Sequence, residues 1–277
     1  SLIRTPASYN LEPYTNSQGF NRNYFYAYDN PFYSAFENPF TSNVNRVIGN
    51  VFLNYNISEA FKFSYRLGTD FYSDKRSQIY AISARGADIP NAGQINQDRI
   101  NSTELYGDAI LTYTTKLTEK LTLNARLGHN FRINKYDDLF GRGRQLTIPN
   151  FYNMNNASDL YTSNFTTEIR SQAIFGELDF DYGGFLYVNF TGRNEWSSTF
   201  ELADNSFFYP SASVSFVFSE VFQMPEWLSF GKVRYGFAQV GISPQAYATR
   251  PIFTSPSFTD GFTDGLSVPY NGVNGFA

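Results

Sequence analysis

The sequence has no cysteine and only one histidine, His129, among its 277 residues. The lack of thiols excludes disulfide frameworks and thiolate metal sites. With a single imidazole, a histidine metal cluster and most Ser/His or Cys/His catalytic arrangements are hard to build. Neither a Gly-rich phosphate loop nor a nucleophile elbow is found. We therefore expect no enzyme, no cofactor and no bound metal.

Charge and long apolar runs are scarce as well. Charged residues make up 17% of the chain, against about 25% in ordinary soluble domains. No run of about 20 apolar residues occurs, which excludes an α-helical membrane protein. The net charge of -4 provides no basic footprint for nucleic acid. Phe, Tyr and Trp nevertheless reach 19%, which is enough apolar surface to argue against disorder.

The strongest positive signal is an alternation of apolar and polar residues with a period of two. From Phe61 to Phe71, odd positions are mainly aromatic or aliphatic, and even positions include Lys62, Arg66 and Asp70. This period is typical of a β-strand with one apolar and one polar face. The pattern recurs as four hairpins, at 47–71, 105–133, 174–196 and 208–240, the first three joined by tight turns at 58–60, 118–120 and 183–184.

The charged residues test the strand phases independently, because the phases were assigned from the apolar residues alone. Within the predicted strands the charges fall on the polar face. Contact of the other face with lipid explains this, since Arg or Lys at mid-depth in a bilayer costs about 2–4 kcal/mol. A soluble β-sandwich also alternates, with its apolar side inward, so alternation alone leaves the choice open.

Strand length, connection length and aromatic placement favour a membrane barrel. The predicted strands have about 10–13 residues, near the 9–11 that cross a tilted bilayer and above the usual five or six. Tight turns alternate with long polar connections at 73–102, 134–168 and 197–207, as in outer-membrane proteins. Aromatic residues concentrate at strand ends, where interfacial girdles lie. We predict an all-β fold, a transmembrane antiparallel β-barrel.

Several short strings resemble a known family. In chain order they are NPFY at 30–33, NRVIGN at 45–50, FGELDFDY at 175–182, TGRNEWSS at 191–198, FFYPS at 207–211, SE at 219–220, KVRYG at 232–236 and VG at 240–241. Together they resemble the barrel of SusC/RagA-type TonB-dependent transporters of Bacteroidota-like bacteria, and the match spans roughly residues 30 to 241.

The resemblance implies a 22-stranded barrel with an N-terminal plug and a TonB box, neither of which this sequence contains. The chain is then expected to supply about eight to ten strands from the interior of the barrel. Residues 1–41 would form an external loop leading into the first strand, 42–241 the hairpins with long extracellular loops, and 242–277 another extracellular loop. The resemblance further implies a Gram-negative outer membrane, a SusD-like surface lipoprotein partner and contact with TonB through the absent N-terminal region.

Two sets of residues are candidate binding residues. Charged residues on the polar face could contact substrate or plug, or they could form the cross-strand ion pairs that a filled barrel needs: Lys62, Arg66, Asp70, Arg126, Arg132, Asp179, Arg193, Glu195 and Arg234. Loop residues could stack on sugars, dock a lipoprotein or simply order the loop: Tyr136, Phe151, Tyr152, Asn153 and Asn155. His129 is expected to be a polar tip in the aromatic girdle.

Three functions remain open from the sequence. The first is part of a TonB-dependent importer of oligosaccharides or peptides, with these strands as wall and these loops as vestibule. The second is a SusC-like barrel that serves as a scaffold or partner-binding subunit in a larger outer-membrane assembly. The third is a complete ten-stranded barrel, such as a small adhesin or porin, which a native mass well above 31.6 kDa would eliminate.

Overall fold

A computed structural model describes residue 3 and residues 5–85, 92–201 and 205–249. Within them one short α-helix and two single-turn 3-10 helices (Met154–Asn156 and Phe218–Glu220) accompany eight β-strands. The helix α1 is Pro31–Glu37, and the strands are β1 (Phe40–Asn56), β2 (Phe61–Tyr80), β3 (Gln94–Lys116), β4 (Leu121–Leu146), β5 (Ala157–Tyr182), β6 (Leu186–Ser197), β7 (Ser206–Phe216) and β8 (Val233–Ala238).

The eight strands form one antiparallel sheet in which every strand pairs with its neighbours in sequence, in the order β1 to β8. Leu178 of β5 faces Phe190 of β6, and Phe190 in turn faces Ala212 of β7. Antiparallel strands joined in sequence are the arrangement of an up-and-down barrel wall. The predicted all-β class is confirmed, and the sheet is consistent with part of a β-barrel.

The predicted tight turns lie where the sequence places them. In the first, the Ser58 hydroxyl accepts hydrogen bonds from the backbone N–H groups of Ala60 and Phe61. The Thr118 hydroxyl accepts the equivalent bonds in the second turn, so both turns use a local side-chain acceptor. In the third, Gly183 and Gly184 adopt φ of 61° and 73°, the left-handed region that glycine enters without strain.

The predicted strand length of about 10–13 residues is confirmed for β6 and β7, with 12 and 11 residues, but is wrong for the first five strands. The five strands from β1 to β5 have 17 to 26 residues, so most of the expected loops at 73–102 and 134–168 belong to strands. Apolar alternation is required only where one face meets an apolar environment, whereas the backbone ladder can continue among polar residues. β3 already begins at Gln94, and the connection between β4 and β5 shrinks to residues 147–156. The strand part of the chain also begins at Phe40, two residues before the expected 42.

The chain divides into two compact units. The first consists of Ser1–Val47, Asp70–Thr103 and Lys135–Thr167. Its core forms where α1 meets the turn after β2: Tyr33, Ala81 and Ala84 are buried together. The Tyr33 hydroxyl donates to the backbone oxygen of Ile82 at 2.7 Å. The region expected as an external loop, residues 1–41, therefore contains a short helix packed against this turn.

Polar side chains before α1 anchor the same region. Asp29 accepts hydrogen bonds from the side chain of Asn21 and the backbone N–H of Arg85, both at 2.6 Å. Ser34 and Asn38 donate to its second oxygen. Burial raises the pKa of the Asp29 carboxyl above its usual value, although these hydrogen bonds act in the opposite direction.

We expect Asn30→Ala to loosen this N-terminal region. Asn30 is 2% exposed. Its side chain donates to the backbone oxygens of Leu11 and Arg22 and accepts from the N–H of Phe32 at the start of α1. Losing the cap and leaving two carbonyls unpaired costs about 2–4 kcal/mol. Limited proteolysis should then cut before α1 much faster.

Asn23→Ala is the control for this change. Its amide also donates to two backbone oxygens, those of Phe25 and Tyr28, but in an exposed setting where water replaces them. Equal protease sensitivity of the two variants would contradict the anchoring role of Asn30.

Candidate functional site: the two faces of the sheet

The polar face of the sheet carries a series of ion pairs. Because polar residues alternate along each strand, an arginine on one strand meets an acid on the next. The pairs that join neighbouring strands are Arg46–Asp70 (2.6 Å), Arg66–Asp108 (2.7 Å), Arg132–Glu104 (2.5 Å) and Arg126–Glu177 (2.8 Å). Within β6, Arg193 pairs with Glu195 at 2.9 Å. The four pairs between strands connect β1 with β2, β2 with β3, β3 with β4, and β4 with β5.

Amide side chains extend the ion pairs into a network in the second unit (Ile48–Thr69, Glu104–Asn134 and Glu168–Ala277). Asn130 donates to Asp108 at 2.6 Å. The side-chain Oδ1 of Asn130 accepts from Arg193 of β6 at 3.5 Å, while Asn189 donates to Glu177 at 2.8 Å. One group of bonds therefore runs from Arg66 through Asp108 and Asn130 to Arg193, and a second joins Arg126, Glu177 and Asn189.

Six of the nine predicted polar-face residues take part in these pairs, namely Arg66, Asp70, Arg126, Arg132, Arg193 and Glu195. Lys62, Asp179 and Arg234 form no ion pair with any described residue. The pairing corresponds to the structural alternative that the sequence left open. Contact of any of the nine with substrate or plug stays a prediction.

We expect Asp108→Asn to weaken the network. The Asp108 carboxylate accepts from both Nε and Nη2 of Arg66 and from Asn130. The neutral amide keeps the shape but removes the charge, and since the arginine is half exposed the loss is about 1 kcal/mol. Urea unfolding in lipid vesicles measures it. Asp179→Asn, which removes an acid without a partner, should change the unfolding free energy by less than about 0.5 kcal/mol.

The opposite face is apolar and exposed. Among the described residues of the second unit, only Ala173 and Val217 are buried hydrophobic residues. Large side chains of the apolar phase lie open instead: Val51 is 70% exposed, Phe190 49% and Leu178 44%. A soluble sheet packs such a face against a second layer, and within the described part of this unit no such layer covers it.

Glycines under aromatic rings tie neighbouring strands together on both faces. On the polar face, a Cβ at Gly68 would lie 2.3 Å from the Tyr106 ring, and one at Gly128 would lie 2.2 Å from the Phe175 ring. On the apolar face the Phe131 ring covers Gly107 in the same way. Each ring fills the space that a side chain on the next strand would take. Sequence reasoning missed these pairs because a glycine in an alternating pattern does not reveal which ring covers it.

The loop candidates separate into two groups. Tyr136 is not in a loop, because β4 extends past it; its ring lies 6.3 Å from that of Phe165. Phe151, Tyr152, Asn153 and Asn155 do lie in the loop between β4 and β5. Phe151 is 49% exposed.

Asparagines order this loop. Asn153 accepts from the N–H of Asn155 at 2.9 Å, at the start of the 3-10 turn. The buried Asn156 donates to the backbone oxygens of Ile148 and Phe151. Tyr152 packs against the core of the first unit. Binding roles for the loop residues stay predictions, and Phe151 is the exposed aromatic among them.

A buried carboxylate on β2 is another residue that the sequence did not reveal. Asp74 is 1% exposed and accepts from Ser42 at 2.8 Å, Tyr72 at 3.0 Å and Arg76 at 2.6 Å. It lies in a stretch expected to be a loop, so no strand pattern indicated its burial. Ser42 lies on β1, so its hydrogen bond joins β1 to β2 in the first unit, while Tyr72 and Arg76 lie on β2 beside Asp74.

Three further findings concern the described residues only. His129 is exposed, with its ring 6.5 Å from that of Phe131. No group of three or more His, Asp or Glu residues in the described ranges is placed to hold a metal ion. No helix in the described part of the chain has the length and apolar character needed to cross a membrane.

The sequence matches no family model and no curated protein. Its fold, however, is similar to solved structures of large transporter chains. The RagAB peptide transporter superposes with a TM-score of 0.78 at 17% identity, over 89% of this chain and 28% of that chain. The RagAB peptide importer gives TM-scores of 0.74 in its closed-closed state, at 18% identity over 88% and 27% of the chains, and 0.71 in its open-open state, at 18% over 87% and 27%.

At this level of identity the similarity defines the fold. The chain has an all-β architecture consistent with part of a β-barrel wall. It spans between a quarter and a third of the length of the chains it matches. The resemblance found in the sequence motifs and the similarity of the fold thus point to the same architecture.

Proposed function

We propose that this chain forms part of the wall of an outer-membrane transporter barrel, with its apolar face against lipid and its polar face towards the lumen. The observation that carries the proposal is the contrast between the two faces. On one face, ion pairs and amide hydrogen bonds connect the side chains of neighbouring strands. On the other face, large apolar side chains are exposed, and no layer of described residues covers them. Lipid is the solvent that such a surface requires.

The edges of the sheet support the same proposal. All 17 residues of β1 are exposed, and β8 is exposed throughout. Unpaired strand edges of this length are covered or paired in natural proteins. We infer that further strands continue the sheet on both sides until it closes, which agrees with the much greater length of the similar chains.

The proposed activity is TonB-dependent import of peptides or oligosaccharides, with a SusD-like lipoprotein on the external side. The family resemblance of the motifs supports it, and so does the similarity to chains whose structures are described as a peptide transporter and importer. Phe151 and its loop would contribute to the substrate vestibule. The polar face would border the plug.

A site-directed spin-label scan tests the orientation of the faces. This chain contains no cysteine, so single cysteines at 188, 189, 190 and 191 of β6 can each carry a nitroxide. In membranes we expect oxygen to relax labels at Val188 and Phe190 and a water-soluble nickel complex to relax those at Asn189 and Thr191. The reverse alternation, or equal access at all four positions, would overturn the proposal.

Uptake by cells distinguishes the importer from a scaffold. Phe151→Ala should lower the uptake of labelled peptides or oligosaccharides about tenfold, the effect of losing one aromatic contact of about 1.4 kcal/mol. Phe190→Ala is the matched control, because that ring has the same 49% exposure but lies on the lipid face. If neither variant changes uptake and loss of the TonB interaction is tolerated while removal of the barrel is not, the scaffold function is supported instead.

A further inference from the structure

A groove crosses the apolar face of the second unit near one end of the strands. It has a volume of about 390 Å³, and its lining includes Phe131, Ile133, Gln172 and Trp196. These four residues occupy the apolar phase of β4, β5 and β6, and Gln172 lies directly opposite Trp196 in the ladder. If the chain is a barrel wall, as proposed above, the groove therefore opens towards lipid and not towards the lumen.

The groove has an apolar side and a polar end. Phe131, Ile133 and the ring of Trp196 supply the apolar side, while Arg170 and Asn205 also line the groove. The indole N–H of Trp196 makes no hydrogen bond to a described residue, although tryptophan in this position normally presents that group to a polar layer. Such a lining matches a molecule with an apolar chain and a polar head.

Arg170 determines the charge of that head. Its side chain is 69% exposed, and it bonds Glu168 of the same strand through Nε and Nη2. Ser198 holds the backbone of Arg170 through two hydrogen bonds. The Ser198 hydroxyl accepts from the Arg170 N–H at 2.9 Å, and the Ser198 N–H donates to the Arg170 backbone oxygen at 2.8 Å. A guanidinium has five donors, so the Nη1 amine remains for an anion.

The sequence positions of other charges point the same way. On β2, β3, β4 and β5 we followed the residues of the apolar phase from the tight turn towards the other end of the strand. On each of these strands the first charged residue in that series is basic: Lys75, Arg99, Lys135 and Arg170. Basic residues at the edge of an apolar band place their charge at the headgroup level, where they attract anionic lipids.

We propose that the groove formed by Phe131, Ile133, Gln172, Trp196 and Arg170 binds a phosphorylated lipid of the surrounding leaflet. The acyl chain lies along the aromatic and aliphatic side, and the phosphate contacts Arg170. This inference rests on the proposed orientation of the sheet. It adds a lipid site on the outside of the wall, separate from the substrate route through the lumen.

The test is native mass spectrometry of the native-length protein in a neutral detergent, titrated with bisphosphorylated lipid A, with its dephosphorylated form and with inorganic phosphate. We expect the wild type to retain the bisphosphorylated lipid, and Arg170→Gln to weaken this about tenfold, equivalent to about 1.4 kcal/mol. Trp196→Ala should weaken retention of both lipid forms. Arg132→Gln is the matched control, since that arginine also pairs with a glutamate at 2.5 Å but lies on the polar face.

Three results would overturn the lipid site. One is equal retention of the phosphorylated and dephosphorylated lipids, another is unchanged retention by Arg170→Gln, and the third is displacement of the lipid by inorganic phosphate at equal concentration, which indicates a simple anion site. The spin-label scan on β6 separates these failures from failure of the proposed function. If Val188 and Phe190 remain accessible to lipid while lipid A is not retained, only the lipid site is wrong.

Discussion

Phe190→Arg should prevent assembly of the protein into the membrane in most molecules. Phe190 lies in the middle of β6 opposite Leu178, and both are exposed on the apolar face. An arginine at mid-depth on a lipid-facing strand costs about 2–4 kcal/mol. Because this is a large part of the stability of a typical fold, the folded fraction in vesicles, read from resistance to SDS without heating, should fall sharply. Leu178→Arg should act in the same way.

Thr191→Arg is the control one position along the strand. Thr191 lies on the polar face opposite Glu177 in the β5–β6 ladder, and an arginine there gains a carboxylate neighbour. We expect it to assemble nearly as well as the wild type, after the loss of one hydroxyl contact with Ser211. If Thr191→Arg is as harmful as Phe190→Arg, both faces are closed to charge and the lipid-facing assignment is wrong.

Gly128→Val should have the second large effect. A Cβ at Gly128 of β4 would lie 2.2, 2.6 and 2.7 Å from three atoms of the Phe175 ring of β5. The Phe175 ring must therefore move away from its position above residue 128. Overpacking of this kind costs about 1–3 kcal/mol. Urea unfolding in vesicles measures the change in unfolding free energy.

A second substitution separates ring displacement from other effects of valine. In Gly128→Val with Phe175→Ala the space above residue 128 is free, and we expect most of the stability lost in Gly128→Val to return. Gly49→Val is the matched control on β1, because nothing lies within 4 Å of a Cβ at that position. It should be neutral or slightly stabilising, since valine is a better strand residue than glycine. A loss at Gly49 equal to that at Gly128 would exclude the ring as the cause.

The two positions show why some features can be read from the sequence and others cannot. The alternation at Leu178 and Phe190 is local: each residue and its neighbours reveal the strand and its faces. The covering of Gly128 by Phe175 depends on the register between β4 and β5, whose paired residues are about 50 positions apart. A strand's own residues carry little information about that register, because it is set by both partners.

The candidate residues divide in the same way. The polar phase of Arg66, Arg126 and Arg132 follows from the strand pattern, but their partners Asp108, Glu177 and Glu104 are known only from the sheet. The loop between β4 and β5 was placed correctly around Phe151, yet its true length of ten residues required the structure. The long polar ends of the strands resemble loops in sequence, because hydrogen-bonded ladders in water do not need an apolar face.

The sequence by itself determined the all-β class, the order of the hairpins, their tight turns and the segregation of charge to one face. These follow from short-range rules of side-chain alternation and turn chemistry. Only the tertiary structure decided how far each strand extends, which arginine meets which acid, how α1 packs against Ala81 and Ala84, and that Phe131, Ile133 and Trp196 line one groove. Each of these depends on residues distant in sequence that are brought together by strand pairing, which no local pattern specifies.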